Sequence, residues 1–234
     1  MSATAPAPAP ALALLIIDAQ RDFGEPSGAL YVPDGGAVVG EINALRAALA
    51  PRAAAVVLTQ DWHPPDHLSF AANNGGAALF SLRALPGGGE QVMWPTHCVA
   101  GSAGADFLPA LVRAPGDVLV RKGGARDVDS YSGFGSPSGA GGARAERTEL
   151  EAVLRARGVT HVVLAGLALD FCVAFTARDA AALGFKVCVA RHASRGIAPD
   201  SLAREARAMA DAGVEFADSL DDVLAFAERA RELA

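Results

Sequence analysis

Three residues of this chain have the types needed for a nucleophile and its proton acceptor: Asp18, Lys122 and Cys172. Asp18 ends the run Leu14-Leu15-Ile16-Ile17, so a carboxylate leaves what reads as a buried strand. Taken alone, it could instead cap a turn or pair with Arg21. Lys122 is one of only two lysines, with Lys186, among 20 Lys and Arg residues. A lysine kept where arginine is the default points to a use for a compact ammonium with a shiftable pKa. The plainer alternative is a solvated basic pair with Arg121. Cys172 follows Ala165-Gly166-Leu167-Ala168-Leu169-Asp170-Phe171, where a strand, a turn and a helix should meet. A thiol at a helix N-terminus sees the positive end of the dipole, so a lowered pKa is expected, with nearby amides able to hold an oxyanion. Cys188 sits in an apolar run and reads as structural. Cys98, beside His97, is open to either reading.

A second group suits metal chemistry. Asp61-Trp62-His63 and His67 lie close together, and His97 follows thirty residues after His67. One carboxylate and three imidazoles suit a single divalent ion, zinc first, with iron or manganese as the others. Three of the five histidines fall in the interval Gln60–Gly116, along with both tryptophans. So long an irregular stretch is usually functional.

These groups need elements to hold them. The runs Leu12–Ile17, Ala54–Leu58, Val118–Val120, His161–Ala165 and Val187–Ala190 are apolar without alternation, which predicts strands buried on both faces of a parallel sheet. Between them lie helical patterns. Val38, Ile42, Leu45 and Leu49 recur at helical spacing, and Thr148 with Glu151 reads as a capping box for a helix stopped at Gly158. Further helices are expected over Phe171–Leu183, Pro199–Ala212 and Ser219–Leu233. Alternating strands and helices give an α/β, single-domain, doubly wound fold with helices on both faces of a mainly parallel sheet. Strand ends in such sheets are where ligands bind, and Asp18, Lys122 and Cys172 all stand at or soon after one.

Composition narrows the function classes. The chain has 234 residues, 51% of them hydrophobic and 20% charged, with a formal net charge of −6. That excludes a disordered chain and argues against a broad nucleic-acid surface or an anionic membrane. Three cysteines are too few and odd in number for a disulfide framework, which fits a reducing compartment. Residues 1–10 alternate Ala and Pro and read as an extended, disordered arm before a domain over residues 11–234. No run approaches the ~20 apolar residues of a membrane span, and Ala11–Ile17 lacks the basic flank of a signal peptide. A cytoplasmic protein with a small-molecule partner is the expectation. A homo-oligomer stays open. Gly133–Gly142, with five glycines but no Gly-Lys-Ser/Thr, reads as a flexible loop.

Five segments together resemble the nicotinamidase/pyrazinamidase branch of the isochorismatase-like cysteine hydrolases. They are Ile16-Ile17-Asp18-Ala19-Gln20-Arg21-Asp22-Phe23, Thr59-Gln60-Asp61-Trp62-His63-Pro64-Pro65-Asp66-His67, Trp94-Pro95-Thr96-His97-Cys98-Val99, Lys122-Gly123 with Tyr131-Ser132-Gly133-Phe134, and Gly166-Leu167-Ala168-Leu169-Asp170-Phe171-Cys172-Val173. The resemblance implies a sheet of about six strands. It implies Cys172 as nucleophile, Asp18 as proton shuttle, and Lys122 as the group orienting both. The amides of Ala168 and Cys172 would form the oxyanion hole, after a cis Leu167–Ala168 peptide. Asp61, His63, His67 and His97 would hold the metal, about which the loop 60–116 is built, while Phe23, Trp94 and Tyr131 would enclose the ring of nicotinamide or pyrazinamide. The implied reaction is amide hydrolysis through a thioester, serving either NAD salvage or clearance of nicotinamide. Leu169 and Phe171 depart from the family's usual Thr and Tyr or His, which bears on the pocket wall. The alternatives are a metal-free isochorismatase-like amidase acting on another small amide or carbamoyl compound, and a non-catalytic zinc-binding adaptor.

Overall fold

Each non-alternating apolar run becomes a strand of one sheet: β1 (Ala11–Ile17), β2 (Ala55–Asp61), β3 (Val118–Lys122), β4 (Val159–Leu167) and β5 (Lys186–Arg195), with a short β6 (Glu215–Ala217). The computed structural model describes residues 11–85, 89–135 and 147–232. The Ala/Pro stretch at 1–10 and most of Gly133–Gly142 therefore lie outside the described residues. The strand order is β3-β2-β1-β4-β5-β6, and every neighbouring pair is parallel.

Because β1 lies in the middle, its alternate side chains feed two cores. Leu12, Leu14 and Ile16 meet α1 (Val38–Leu49) through Ile42, Leu45 and Leu49, and α5 (Leu220–Glu232) through Val223 and Phe226. Ala13, Leu15 and Ile17 meet α2 (Leu150–Ala156), α3 (Ala174–Ala182) and α4 (Pro199–Asp211), through Leu154, Ala177 and Met209 among others. Helices thus cover both faces, which is why β1 reads as an unbroken apolar run. Among the described residues, no helix is long and apolar enough to cross a membrane.

Four local expectations are corrected. Strand β3 is not buried on both faces: it is the sheet edge, and Leu119 is 43% exposed. The interval Gln60–Gly116 is not one loop: β2 runs on through Asp61, and a hairpin pairs Leu82–Ala84 with Glu90–Val92. The helix expected from Phe171 is one turn of wide helix over Leu169–Val173, followed by α3. Thr148 does not complete a capping box with Glu151. Its Oγ accepts the Leu150 N–H at 3.2 Å, while its hydroxyl donates to the Gly133 carbonyl at 2.6 Å.

The chain winds outward from β1 to β2 and β3, then returns to pair β4 on the other side of β1. This reversal opens a crevice beyond the carboxyl ends of β1 and β4, the usual ligand site of doubly wound sheets. Gly166 lets the two strands close there. A Cβ at this position would lie 2.0 Å from the Ile17 carbonyl oxygen, and its φ of +132° is one that side chains avoid.

Candidate active site

Asp18 is the first residue past β1 and turns the chain with a left-handed φ of 42°. That unusual conformation is locked by Thr59 on the adjacent β2. The Asp18 N–H donates to Thr59 Oγ1 at 3.1 Å, and the Thr59 hydroxyl donates to Asp18 Oδ1 at 2.6 Å. Arg21 takes no part; it pairs with Glu25.

Lys122 and Asp61 are register partners, the last residues of β3 and β2. The ammonium of Lys122 is 3.0 Å from Asp18 Oδ2, bonds Asp61 Oδ1, and lies 3.4 Å from Cys172 Sγ. Only 1% of Lys122 is exposed, so it is no solvated partner of Arg121. Arg121 instead lies over the Trp62 ring, 3.9 Å from its centroid. Burial alone would drive the Lys122 pKa down, but the two carboxylates hold it well above its ordinary value. Burial pushes Asp61 up, yet Lys122 and His63 bring it well below the usual carboxylate range. Asp18 moves the other way. Its burial outweighs the attraction of Lys122, and the nearby Asp61 charge adds to the rise.

Cys172 sits in the Leu169–Val173 turn, just after a cis Leu167–Ala168 peptide. Ligand atoms of Asp18, Asp61 and Cys172 all lie within 4.8 Å of one another. The expectation of an acidified thiol is not met. Burial pushes Cys172 well above its ordinary pKa; Lys122 pulls it down, and the Asp18 and Asp61 charges add to the rise. The resting arrangement is therefore a protonated thiol facing a carboxylate through a shared ammonium. Cys98 and Cys188 are also buried, with burial raising both thiols, Cys188 to about 12.

The histidine group adjoins this one through Asp61. His63 Nε2 is 3.5 Å from Asp61 Oδ2, and ligand atoms of Asp61, His63 and His97 lie within 4.8 Å of one another. His63 Nδ1 bonds the Gly123 carbonyl and His97 Nδ1 the Pro95 carbonyl, each at 2.8 Å. Each bond calls for Nδ1–H and leaves Nε2 facing the site, the usual preparation of a metal-binding imidazole, while Asp61 raises the His63 pKa. Gly123 makes the first contact feasible: a Cβ there would lie 2.4 Å from the His63 ring. Burial and the neighbouring His63 lower the His97 pKa to about 4, so its ring is neutral at ordinary pH. His67 stands apart from this set. Its ring is 4.3 Å from that of His63, but Nδ1 bonds Ser69 Oγ at 2.8 Å and Nε2 the Val128 carbonyl at 3.1 Å.

Both groups open on one cavity. Phe23, Trp94 and Tyr131 line it, together with Ala168, Cys172 and Phe171. Trp94 donates its indole N–H to the Tyr131 hydroxyl at 3.1 Å, and Phe171 meets Trp94 edge-on at 5.0 Å. Of the two departures, Phe171 forms cavity wall, whereas Leu169 packs into the core. Sequence reading assigns nothing to Gln20 or Asp129. Gln20 clamps the Asp61 backbone, accepting its N–H at 2.8 Å and donating to its carbonyl at 2.9 Å. Asp129 lines the cavity and accepts from Gln91. A buried amide two residues beyond Asp18 is the only sequence signal for Gln20, and Asp129 has none.

The fold and the crevice define a class: residues 12–221 match the isochorismatase domain, and the chain belongs to the isochorismatase family. Its relatives place it among the amidohydrolases. It is 39% identical over 184 residues to the nicotinamidase of Acinetobacter baylyi, covering 79% of this chain and 81% of that one. It is also similar to the structure of an Acinetobacter baumanii nicotinamidase/pyrazinamidase, with a TM-score of 0.82 and 38% identity over 91% of this chain and 97% of that one. A third likeness is to the pyrazinamidase of Pyrococcus horikoshii in complex with zinc, with a TM-score of 0.72 and 33% identity over 90% of this chain and all of that one.

Proposed function

We propose that this chain is a metal-dependent nicotinamidase, which hydrolyses nicotinamide to nicotinate and ammonia and also acts on pyrazinamide. The observation that carries this reading is one cavity, walled by aromatic rings and lined by Cys172, Asp61, His63 and His97, with Asp18 and Lys122 buried directly behind Cys172 and Asp61. The likeness to nicotinamidases, and to a pyrazinamidase crystallised with zinc, supports it.

Asp18 takes the Cys172 proton as sulfur attacks the carboxamide carbon, and its raised pKa suits a group that must hold that proton and then release it. The ammonium of Lys122 lies against both partners, so charge moves from carboxylate to thiolate without leaving its reach. Amides of Ala168 and Cys172 face the developing oxyanion. When the carbon–nitrogen bond breaks, Asp18 returns the proton to the leaving amine, and ammonia departs. Water then attacks the thioester, the carbon–sulfur bond breaks, and Cys172 regains its proton as nicotinate forms.

Asp61, His63 and His97 would hold one divalent ion, zinc by preference, with iron or manganese compatible with the same donors. When bound, it supplies a Lewis acid for the ring nitrogen of the substrate. His67 would join only by exchanging its bond to the Val128 carbonyl for the ion. Phe23, Trp94 and Tyr131 stack on or edge the ring.

The test is ammonia release by the purified protein from nicotinamide, with and without chelator, beside benzamide as a substrate lacking the ring nitrogen. Nicotinamide turnover that is lost on chelation and poor with benzamide supports the proposal. Equal rates on both amides would remove the metal from substrate selection and leave a general small-amide hydrolase.

A further inference from the structure

Asp170 is a fully buried carboxylate that the reaction does not use. No lysine or arginine pairs with it among the described residues. Its oxygens accept from three donors on a later segment of the chain. Asp170 Oδ1 accepts the Ile197 N–H at 2.9 Å, and Oδ2 accepts the Ala198 N–H at 3.2 Å and the Ser201 hydroxyl. These donors open α4, whose own N-cap, Ala198, has no side chain able to cap it. The carboxylate thus comes from another element to the positive end of a thirteen-residue helix.

The position of Asp170 in the chain gives this contact a consequence for the site. It lies in the same one-turn segment as Cys172, two residues before it, and Ile197 lines the cavity beside Cys172 and Ala168. The joint is close-packed. A Cβ at Gly196 would lie 2.4 Å from Leu202 and 2.9 Å from Asp170 Oδ1. A shift of the nucleophile turn would therefore have to drag Ile197 with it.

We infer that Asp170 is a positioning residue, locking the turn that presents Cys172 to the Ile197 wall of the cavity and to the start of α4. The inference rests on the reading of Cys172 as nucleophile. An isosteric amide cannot reproduce the lock. Asn offers one acceptor oxygen, and its NH2 would face an N–H or hydroxyl donor.

The test uses the full chain carrying Asp170→Asn, Ser201→Ala, or Asp170→Asn with Ala198→Ser. Four quantities are measured: kcat and KM with nicotinamide, the rate of Cys172 alkylation by iodoacetamide in the absence of substrate, and Tm. Asp170→Asn should lower kcat at least about tenfold, as for a misplaced reacting group, with a severalfold rise in KM as Ile197 moves. It should also change the alkylation rate. Ser201→Ala, which leaves the turn untouched, should shift the same quantities less. Ala198→Ser gives α4 a cap of its own, so it should recover Tm without recovering kcat. If kcat and alkylation stay within about twofold while Tm falls, or if Ala198→Ser restores both, Asp170 is only a helix cap and the inference is overturned. Failure of the wild type to turn over nicotinamide would overturn the proposed function instead, while the alkylation rates would still decide the role of Asp170.

Discussion

The acid–lysine–thiol group and the histidine group share Asp61 but are held by different kinds of structure. Asp18, Asp61 and Lys122 stand at the ends of three adjacent strands, and the register of β2 with β3 sets Asp61 beside Lys122. Strand register is hard to slip where a face of the sheet is buried, as the face of β3 bearing Val120 and Lys122 is. His63 and His97 are instead stapled by local backbone bonds. The His63 N–H donates to the Cys98 carbonyl at 3.0 Å, and the His63 carbonyl accepts the Ala100 N–H at 2.8 Å. Charge differs as well. The sheet-borne group sets two carboxylates against one ammonium, whereas His97 is held neutral. One half is arranged to move a proton and the other to offer lone pairs.

If that division is real, damage to one half should leave the other measurable. Cys172→Ala should abolish turnover, the largest effect expected, while the protein still binds about one zinc per chain by metal analysis. Retained turnover would remove Cys172 as nucleophile. Lost zinc would show that the two halves are one unit.

Next in size is Lys122→Arg. Guanidinium is a wide planar fork, and the ammonium of Lys122 fills a fully buried space between Asp18, Asp61 and Cys172. A loss of at least about 10²-fold in kcat/KM is expected. Burial also means that Tm should fall, because the larger group has no room to relax. Near-normal turnover would reduce Lys122 to a neutralising charge and leave Asp18 and Cys172 as a dyad.

A smaller effect separates the halves in the other direction. His63→Ala removes a candidate ligand and the group that helps lower the Asp61 pKa. Nicotinamide turnover should fall about 10- to 100-fold, with zinc content reduced. Alkylation of Cys172 by iodoacetamide should change little. A parallel loss of alkylation would mean that the histidines support the thiol directly.

The same division marks what sequence could disclose. Strands buried on both faces leave unbroken apolar runs, so β1, β2, β4 and β5 are legible, and residues at their ends follow. Edge position is not legible, because nothing in Val118–Val120 says that no strand lies beyond it. The histidine cluster is visible as composition, but which ring nitrogens are already spent depends on carbonyls far away in sequence, as His67 shows with Val128. The thiol is the sharpest case. Helix position argues for a low pKa, and only the packing around Cys172 reveals that burial and two carboxylates win. Asp170 likewise looks like any turn aspartate until Ile197 and Ser201 are brought against it.

The smallest effect expected concerns His97, the imidazole of the histidine group that burial holds neutral. Burial and the adjacent His63 depress its pKa from 6.5 to about 4 in the folded chain. Between those values the unfolded chain binds a proton that the folded chain refuses, so stability falls as pH falls through this window. The His63 shift has the opposite sign, because Asp61 outweighs burial and raises it, so the bare pH profile mixes the two. The difference between metal-stripped wild type and metal-stripped His97→Gln isolates His97. The stability of wild type relative to the variant, from urea unfolding, should drop between pH 7 and pH 4 by at most about 3 kcal/mol, the full value of the shift. Below pH 4 the difference should level off, because both states then carry the proton. A flat difference across the window would place His97 in water rather than in the packed group, and would leave Asp61 and His63 to grip an ion without it.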